Sequence, residues 1–129
     1  MWGIYRSLDS GRTWEPANVG FLGRGTAGLA IDPRNPRRAL AIATNTSVFE
    51  RNGVYLTEDG AASWRPVIPA AISGNEFRKQ VVFVPTQGDG TTTRLAFWSR
   101  VANDQPSYGT AKSEPGLYRS NDGGRSWKL

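Results

Sequence analysis

An all-β fold of repeated antiparallel units is what this sequence predicts, and three observations lead there. A twelve-residue pattern recurs three times, short aliphatic runs alternate with Gly- and Pro-rich turns, and no segment sustains a helical period. Length and composition agree. The 129 residues suit one domain, and 15 glycines with 8 prolines punctuate the chain every few residues. Hydrophobic types make up 38%, with no run long enough for a membrane helix, so a soluble chain without a membrane partner is expected. Five Trp, five Phe and four Tyr point to a packed core rather than disorder.

The repeat is gapless. Gly3-Ile-Tyr-Arg-Ser7-Leu-Asp9-Ser-Gly11-Arg-Thr13-Trp14 aligns with Gly53-Val-Tyr-Leu-Thr57-Glu-Asp59-Gly-Ala61-Ala-Ser63-Trp64 and with Gly116-Leu-Tyr-Arg-Ser120-Asn-Asp122-Gly-Gly124-Arg-Ser126-Trp127. Each copy reads as a hairpin. The aliphatic and Tyr begin a strand, Asp and the small residues after it supply turn chemistry, and the hydroxyl-Trp pair opens the next strand. The hydroxyl and the carboxylate can accept backbone N–H bonds inside the turn and fix its shape without a ligand. Ala61 stands where the other copies have Gly, which predicts mild strain if the turn needs a left-handed residue there.

Strands also fill the intervals. Leu29 to Ile31, a Pro-containing turn and Ala39 to Thr44 read as strands A and B; Val54 to Thr57 and a segment from Trp64 are C and D. The plan recurs at Val81 to Val84, a Gly88 to Gly90 turn, and Arg94 to Ser99. The possible helix at Pro69 to Ser73 is too short to change the class. Four-stranded antiparallel units repeated in this way are the blades of a β-propeller.

The boxes Ser7-x-Asp9-x-Gly11-x-Thr13-Trp14, Thr57-x-Asp59-x-Ala61-x-Ser63-Trp64 and Ser120-x-Asp122-x-Gly124-x-Ser126-Trp127 resemble the Asp-box, or BNR, repeat. Ile31-Asp-Pro-x-Asn-Pro36 resembles a turn that accompanies it. Proteins with such boxes include sialidases, xyloglucan-cleaving glycoside hydrolases, sortilin-type receptors and photosystem assembly factors of the Ycf48 kind. The resemblance implies that the box residues are structural, joining the outer strands of a blade away from the binding surface, and that the protein works outside the cytoplasm. No secretory signal is encoded at Met1 to Arg6. The strands amount to about two and a half blades: residues 1–27 end one blade, 28–79 form a complete one, and 80–129 form a third lacking most of its last strand. A closed propeller needs about four blades or more. The expected partners are therefore the remaining blades of a parent propeller or other copies of the chain.

Composition limits the chemistry. Cysteine and histidine are both absent, which excludes disulfides, thiolate and imidazole metal sites, a cysteine nucleophile and a Ser-His-Asp triad. No cofactor and no metal site are expected. A net charge of +5 favours anionic partners. Arg34, Arg37 and Arg38 cluster, but no basic stripe is interleaved with aromatics and no groove-reading helix follows, so they read as a solvated turn and nucleic acid is not expected as a partner. Gly23-Arg-Gly25-Thr-Ala-Gly28 spells GxGxxG, yet a strand follows it rather than a helix, which leaves no helix N-terminus for a pyrophosphate.

Function is expected on the long connections, from D to A and from B to C, which emerge together on one face. The residues singled out there are Arg24, Arg51, Arg78 and Tyr108 for ligand binding, with Phe21 among the aromatics on the same surface. Guanidiniums can grip carboxylates and aromatics can stack on sugars, so a glycan or protein ligand suits this surface. A glycoside hydrolase needs two carboxylates roughly 5–10 Å apart. Glu50 and Asp104, on equivalent B-to-C connections of adjacent blades, are the candidate catalytic pair. Relative to the xyloglucan-type pattern of an acid just before the Gly that opens strand C, this chain has Asn52 and Pro115, with Glu50 and Glu114 out of register. The reading is a recognition module, with part of a glycoside hydrolase and an assembly scaffold as the alternatives. The chain alone is not expected to be catalytic.

Overall fold

The computed structural model describes residues 3–44, 51–69, 80–84, 95–100 and 116–129. They form antiparallel sheets, with no α-helix among the described residues. The first sheet pairs β1 (Tyr5–Arg6) with β2 (Glu15–Pro16). The second runs in the order β3 (Gly25–Ile31), β4 (Ala39–Thr44), β5 (Gly53–Thr57) and β6 (Arg65–Pro69). The third holds β7 (Val81–Val84), β8 (Leu95–Arg100) and β9 (Gly116–Ser120), and a bridge from Arg119 to Lys128 starts a further pairing on its outer edge. Within each sheet every strand pairs with the next in sequence, as a hairpin in the first and as meanders in the other two, and successive sheets stack as propeller blades do.

Strand β3 begins four residues before the apolar run that predicts it. Its partner β4 offers a ladder as far as Thr44, and pairing with that ladder draws in Thr26 and, despite its low intrinsic strand preference, Gly25. A bulge between Thr26 and Gly28 absorbs the extra residue. The segment that spells GxGxxG is therefore largely strand.

The two middle strands of the central sheet, β4 and β5, are buried on both faces, and alternation along β4 divides the core. Leu40 and Ile42 join Val54, Leu56, Ile68 and Val81 in one cluster, against which Phe83, Tyr118 and Trp127 of the third sheet pack. Ala39, Ala41 and Ala43 face the first sheet, where Ile4, Ala17, Phe21, Tyr55 and Trp64 complete the second cluster. Three alanines in a row leave room for three aromatic rings. Phe21 meets Tyr55 edge-on at 5.0 Å and Trp64 at 6.0 Å between centroids. Phe21 is thus a core residue and not part of an exposed ligand surface. A strand buried on both sides reads as a continuous apolar run, which is why Ala39 to Ala43 shows no polar alternation.

Candidate functional site

The three boxes form one local structure. In the first, Ser7 Oγ donates to Asp9 Oδ1 at 2.8 Å and accepts from the Gly11 amide at 2.6 Å, while Thr13 donates its amide and its hydroxyl to the two Asp9 oxygens at 2.8 and 2.7 Å. Thr57, Asp59, Ala61 and Ser63 repeat the pattern, as do Ser120, Asp122, Gly124 and Ser126. These contacts close the turn over two consecutive left-handed residues: Ser10 and Gly11, Gly60 and Ala61, Gly123 and Gly124. Ala61 adopts φ 63°, so the strain expected of a side chain there is present.

The donors around each carboxylate stabilise its charged form. Hydrogen bonds from the Thr13 hydroxyl and amide and from Ser7 hold Asp9 at about 2, and Ser63 and Thr57 do the same for Asp59. Burial acts to raise Asp122, but Ser126 and Ser120 outweigh it and hold this carboxyl too at about 2. A carboxylate that stays ionised and has both oxygens engaged is neither a general acid nor a free nucleophile. The boxes are clasps, not reaction centres.

Beside the middle clasp lies an ion network that the sequence reading missed. Asp32 is fully buried and Arg38 only 9% exposed. Arg38 Nη1 approaches Asp32 Oδ2 at 3.4 Å, and its Nη2 reaches Glu58 Oε1 at 3.4 Å. Glu58 also receives Arg65 at 3.3 Å and, from the third clasp, Arg125 through Nη2 at 2.7 Å and Nε at 3.0 Å. Burial acts to raise the Glu58 pKa; hydrogen bonds from Arg125 and Arg65, with the fields of Arg125 and Arg38, win and lower it. Gly123, at φ 75°, lies directly against the Arg38 guanidinium, and a Cβ there would have to displace it. The solvated-turn reading of the Arg cluster therefore holds for exposed Arg34 and Arg37 and fails for Arg38, which is a buried cation tying the turn between β3 and β4 to the clasp between β5 and β6. A hollow of 270 Å³ beside this network is lined by Leu56, Glu58, Asp59, Ser63, Trp64 and Arg65. Among the described residues no acidic group is arranged to hold a metal ion.

The opposite end of the central sheet carries two of the four expected ligand-binding residues, Arg24 and Arg51. The pairing of Gly25 with Thr44 and of Ala43 with Gly53 brings Arg24 and Arg51 to that same end. They stand one strand apart on either side of β4, about 10 Å across the sheet, and both are exposed. Arg51 is anchored through its backbone: its carbonyl accepts the Tyr55 hydroxyl at 2.7 Å. Burial raises the Tyr55 pKa, so this phenol stays protonated and serves as a strut. Asn52, next to Arg51, is buried. Glu50, Asp104, Arg78 and Tyr108 lie outside the described residues, as does the short segment at Pro69 to Ser73 apart from the backbone of Pro69. Arg51 and the Arg100–Gly116 pair of β8 and β9 mark where the Glu50 and Asp104 connections join their sheets.

No family model matches the chain. In sequence it is 28% identical over 151 aligned positions to the xyloglucanase Xgh74A of Acetivibrio thermocellus, an alignment that takes in 99% of this chain and 16% of that protein. The chain thus spans about a sixth of the length of the curated relatives it matches. A solved GH74 enzyme of Niastella koreensis aligns over 98% of this chain and 26% of its own, with 15% identity and a TM-score of 0.42.

Proposed function

We propose that this chain is a segment of a glycoside-hydrolase-related Asp-box propeller that recognises a polysaccharide through the sheet end bearing Arg24 and Arg51. The contrast between the two ends of the central sheet carries this reading. One end is sealed by clasps and the Arg38–Glu58 network, whose polar groups already bond one another. The other presents two exposed guanidiniums on rigid strand ends, able to donate to hydroxyls or carboxylates. The likeness to a xyloglucanase supports a branched β-glucan as the first ligand to try. The test titrates the full chain with xyloglucan oligosaccharides by calorimetry. Arg24→Ala and Arg51→Ala should each weaken binding about tenfold, as loss of a good polar anchor does, whereas Asp9→Asn should not change it. Equal affinity in all four proteins, or no heat with any glycan, rejects the reading.

The same likeness favours a second reading, in which Glu50 and Asp104 are the acid and the base or nucleophile of a hydrolase completed by further blades. Protein extended to a full propeller should then release sugar from xyloglucan, and Glu50→Gln with Asp104→Asn should abolish release while leaving binding intact. Undiminished hydrolysis by that double variant removes both acids from the mechanism. The division into segments 1–27, 28–79 and 80–129 is part of this proposal.

A further inference from the structure

Two connections meet on one buried hydroxyl. Tyr55 lies within β5, is 1% exposed, and has its ring in the second core cluster. Its Oη donates to the Arg51 carbonyl at 2.7 Å, in the connection from β4 to β5. The Leu22 amide, in the connection from β2 to β3, donates to the same oxygen. A phenol oxygen has one proton to give and lone pairs to accept with, so both bonds are made at once. The ring adds a second hold on the earlier connection, since Phe21 packs edge-on against it at 5.0 Å between centroids. Gly23 then lies so close to β4 that a Cβ there would collide with the Ala43 methyl and the Phe21 ring. Arg24 follows directly, and Gly25 enters the ladder opposite Thr44. On the other side Asn52 is buried after Arg51, and Gly53 enters opposite Ala43. Each exposed guanidinium therefore grows from backbone that is seated beneath it.

We infer that Tyr55 is a positioning residue for the proposed glycan-binding end, its hydroxyl tying the two connections together and so setting the separation of Arg24 and Arg51. This role rests on the glycan reading above, whereas the tie itself does not. A ligand that engages both arginines binds more tightly when their backbones are ordered beforehand, because less freedom is lost on binding. The core explains the ring of Tyr55 but not its oxygen, and Tyr55→Phe separates the two by leaving the ring in its cluster.

The chain has no cysteine, so nitroxide labels can be placed at Arg24→Cys and Arg51→Cys alone. In the full chain labelled in this way, dipolar broadening of the electron paramagnetic resonance spectrum should report one narrow separation, and adding Tyr55→Phe should spread it. In unlabelled chain, Tyr55→Phe should weaken the binding of xyloglucan oligosaccharides about fivefold by calorimetry, the order expected for one lost hydrogen bond. Ile42→Val, which trims the other cluster, should lower the urea midpoint and change neither separation nor affinity. Hydrogen exchange on wild type needs no variant to fold: the Leu22 amide, on a residue 51% exposed, should exchange as slowly as the amides of β5. Fast exchange at Leu22, or an unchanged separation in Tyr55→Phe, overturns the tie whether or not a glycan binds. A spread separation with unchanged affinity overturns the positioning role and leaves the glycan reading standing. Wild type that binds no glycan removes that reading and the role together, while the spectra still decide the tie.

Discussion

The first and middle clasps have the same internal hydrogen bonds and opposite tryptophans. Trp14 folds back on its own turn, donating from Nε1 to the Gly11 carbonyl at 3.1 Å, and remains 64% exposed. Trp64 turns inward, donates to the Ala17 carbonyl 47 residues away at 2.8 Å, and is 5% exposed. The segment Ala17 to Phe21 makes the difference. It crosses over Trp64, whose amide donates to the Val19 carbonyl, and Gly20 passes so close to the Trp64 carbonyl that no Cβ fits there. A twelve-residue pattern thus specifies a turn, but whether its indole becomes part of a core depends on the neighbouring sheet. Trp127 lies between the two cases: it donates to the Gly124 carbonyl and packs, partly buried, against the cluster of Leu40, Ile42, Val54 and Leu56.

Trp64→Ala should break the comparison most sharply. It removes a buried ring and its hydrogen bond, and urea unfolding should show a loss of about 3–5 kcal/mol. Trp14→Ala, in dilute protein, should stay within about 0.5 kcal/mol of wild type. Equal losses would mean that the crossing segment contributes nothing.

A smaller effect is expected at Glu58, where the carboxylate serves the buried Arg38 as well as exposed Arg65 and Arg125. Glu58→Gln should cost about 1–2 kcal/mol, since two of its three partners are solvent-screened. Hydrogen exchange should rise first in β9 and the third clasp, because Arg125 is the contact that crosses sheets.

Acid should affect all three clasps alike. Their aspartates sit at about 2 when folded against an ordinary 3.8, so the unfolded chain binds protons first as pH falls. The stabilisation they give is complete above the ordinary value and is lost as pH drops through about 2. The urea midpoint should be flat above pH 5 or so and fall steeply towards pH 2, and Asp59→Asn should lower the plateau and reduce that slope. A midpoint independent of pH would show that the clasps are open in solution.

Ala61→Gly is the gentlest probe. It relieves a left-handed alanine but also removes a methyl that packs against the Tyr55 and Trp64 cluster. The net gain should be about 0.5 kcal/mol, read as a small rise in melting temperature.

Much of this architecture was legible because its signals are local. Spacing alone placed Ser7, Asp9 and Thr13 around one turn, and β4 follows its apolar run from Ala39 to Thr44. What stayed hidden depends on residues distant in sequence. Nothing near Arg38 announces that Glu58, 20 positions on, and the clasp at Asp122 will enclose it, so three neighbouring arginines looked alike. Phe21 stands between Gly20 and Gly23, beside Val19 and Leu22 that stay exposed, and reads as loop; its burial comes from three alanines on β4 that leave a space for it. Of the candidate site, sequence order placed Arg24 and Arg51 at one sheet end through antiparallel alternation. The contact that fixes the Arg51 backbone, the Tyr55 hydroxyl, was not legible, because a repeat tyrosine gives no sign of which carbonyl it meets.

The crossing of Gly20 over Trp64 also sets an order of events during synthesis. The two inward-turned indoles meet segments made before them: Ala17 to Phe21 covers Trp64, and Trp127 packs against a cluster whose residues, from Leu40 to Val81, all precede it. A unit leaving the ribosome therefore finds its cover already present, and consolidation can advance from the N-terminus without waiting for downstream chain. Damage to that crossing should harm the growing polypeptide more than the finished one, leaving every later unit to emerge onto an unready neighbour.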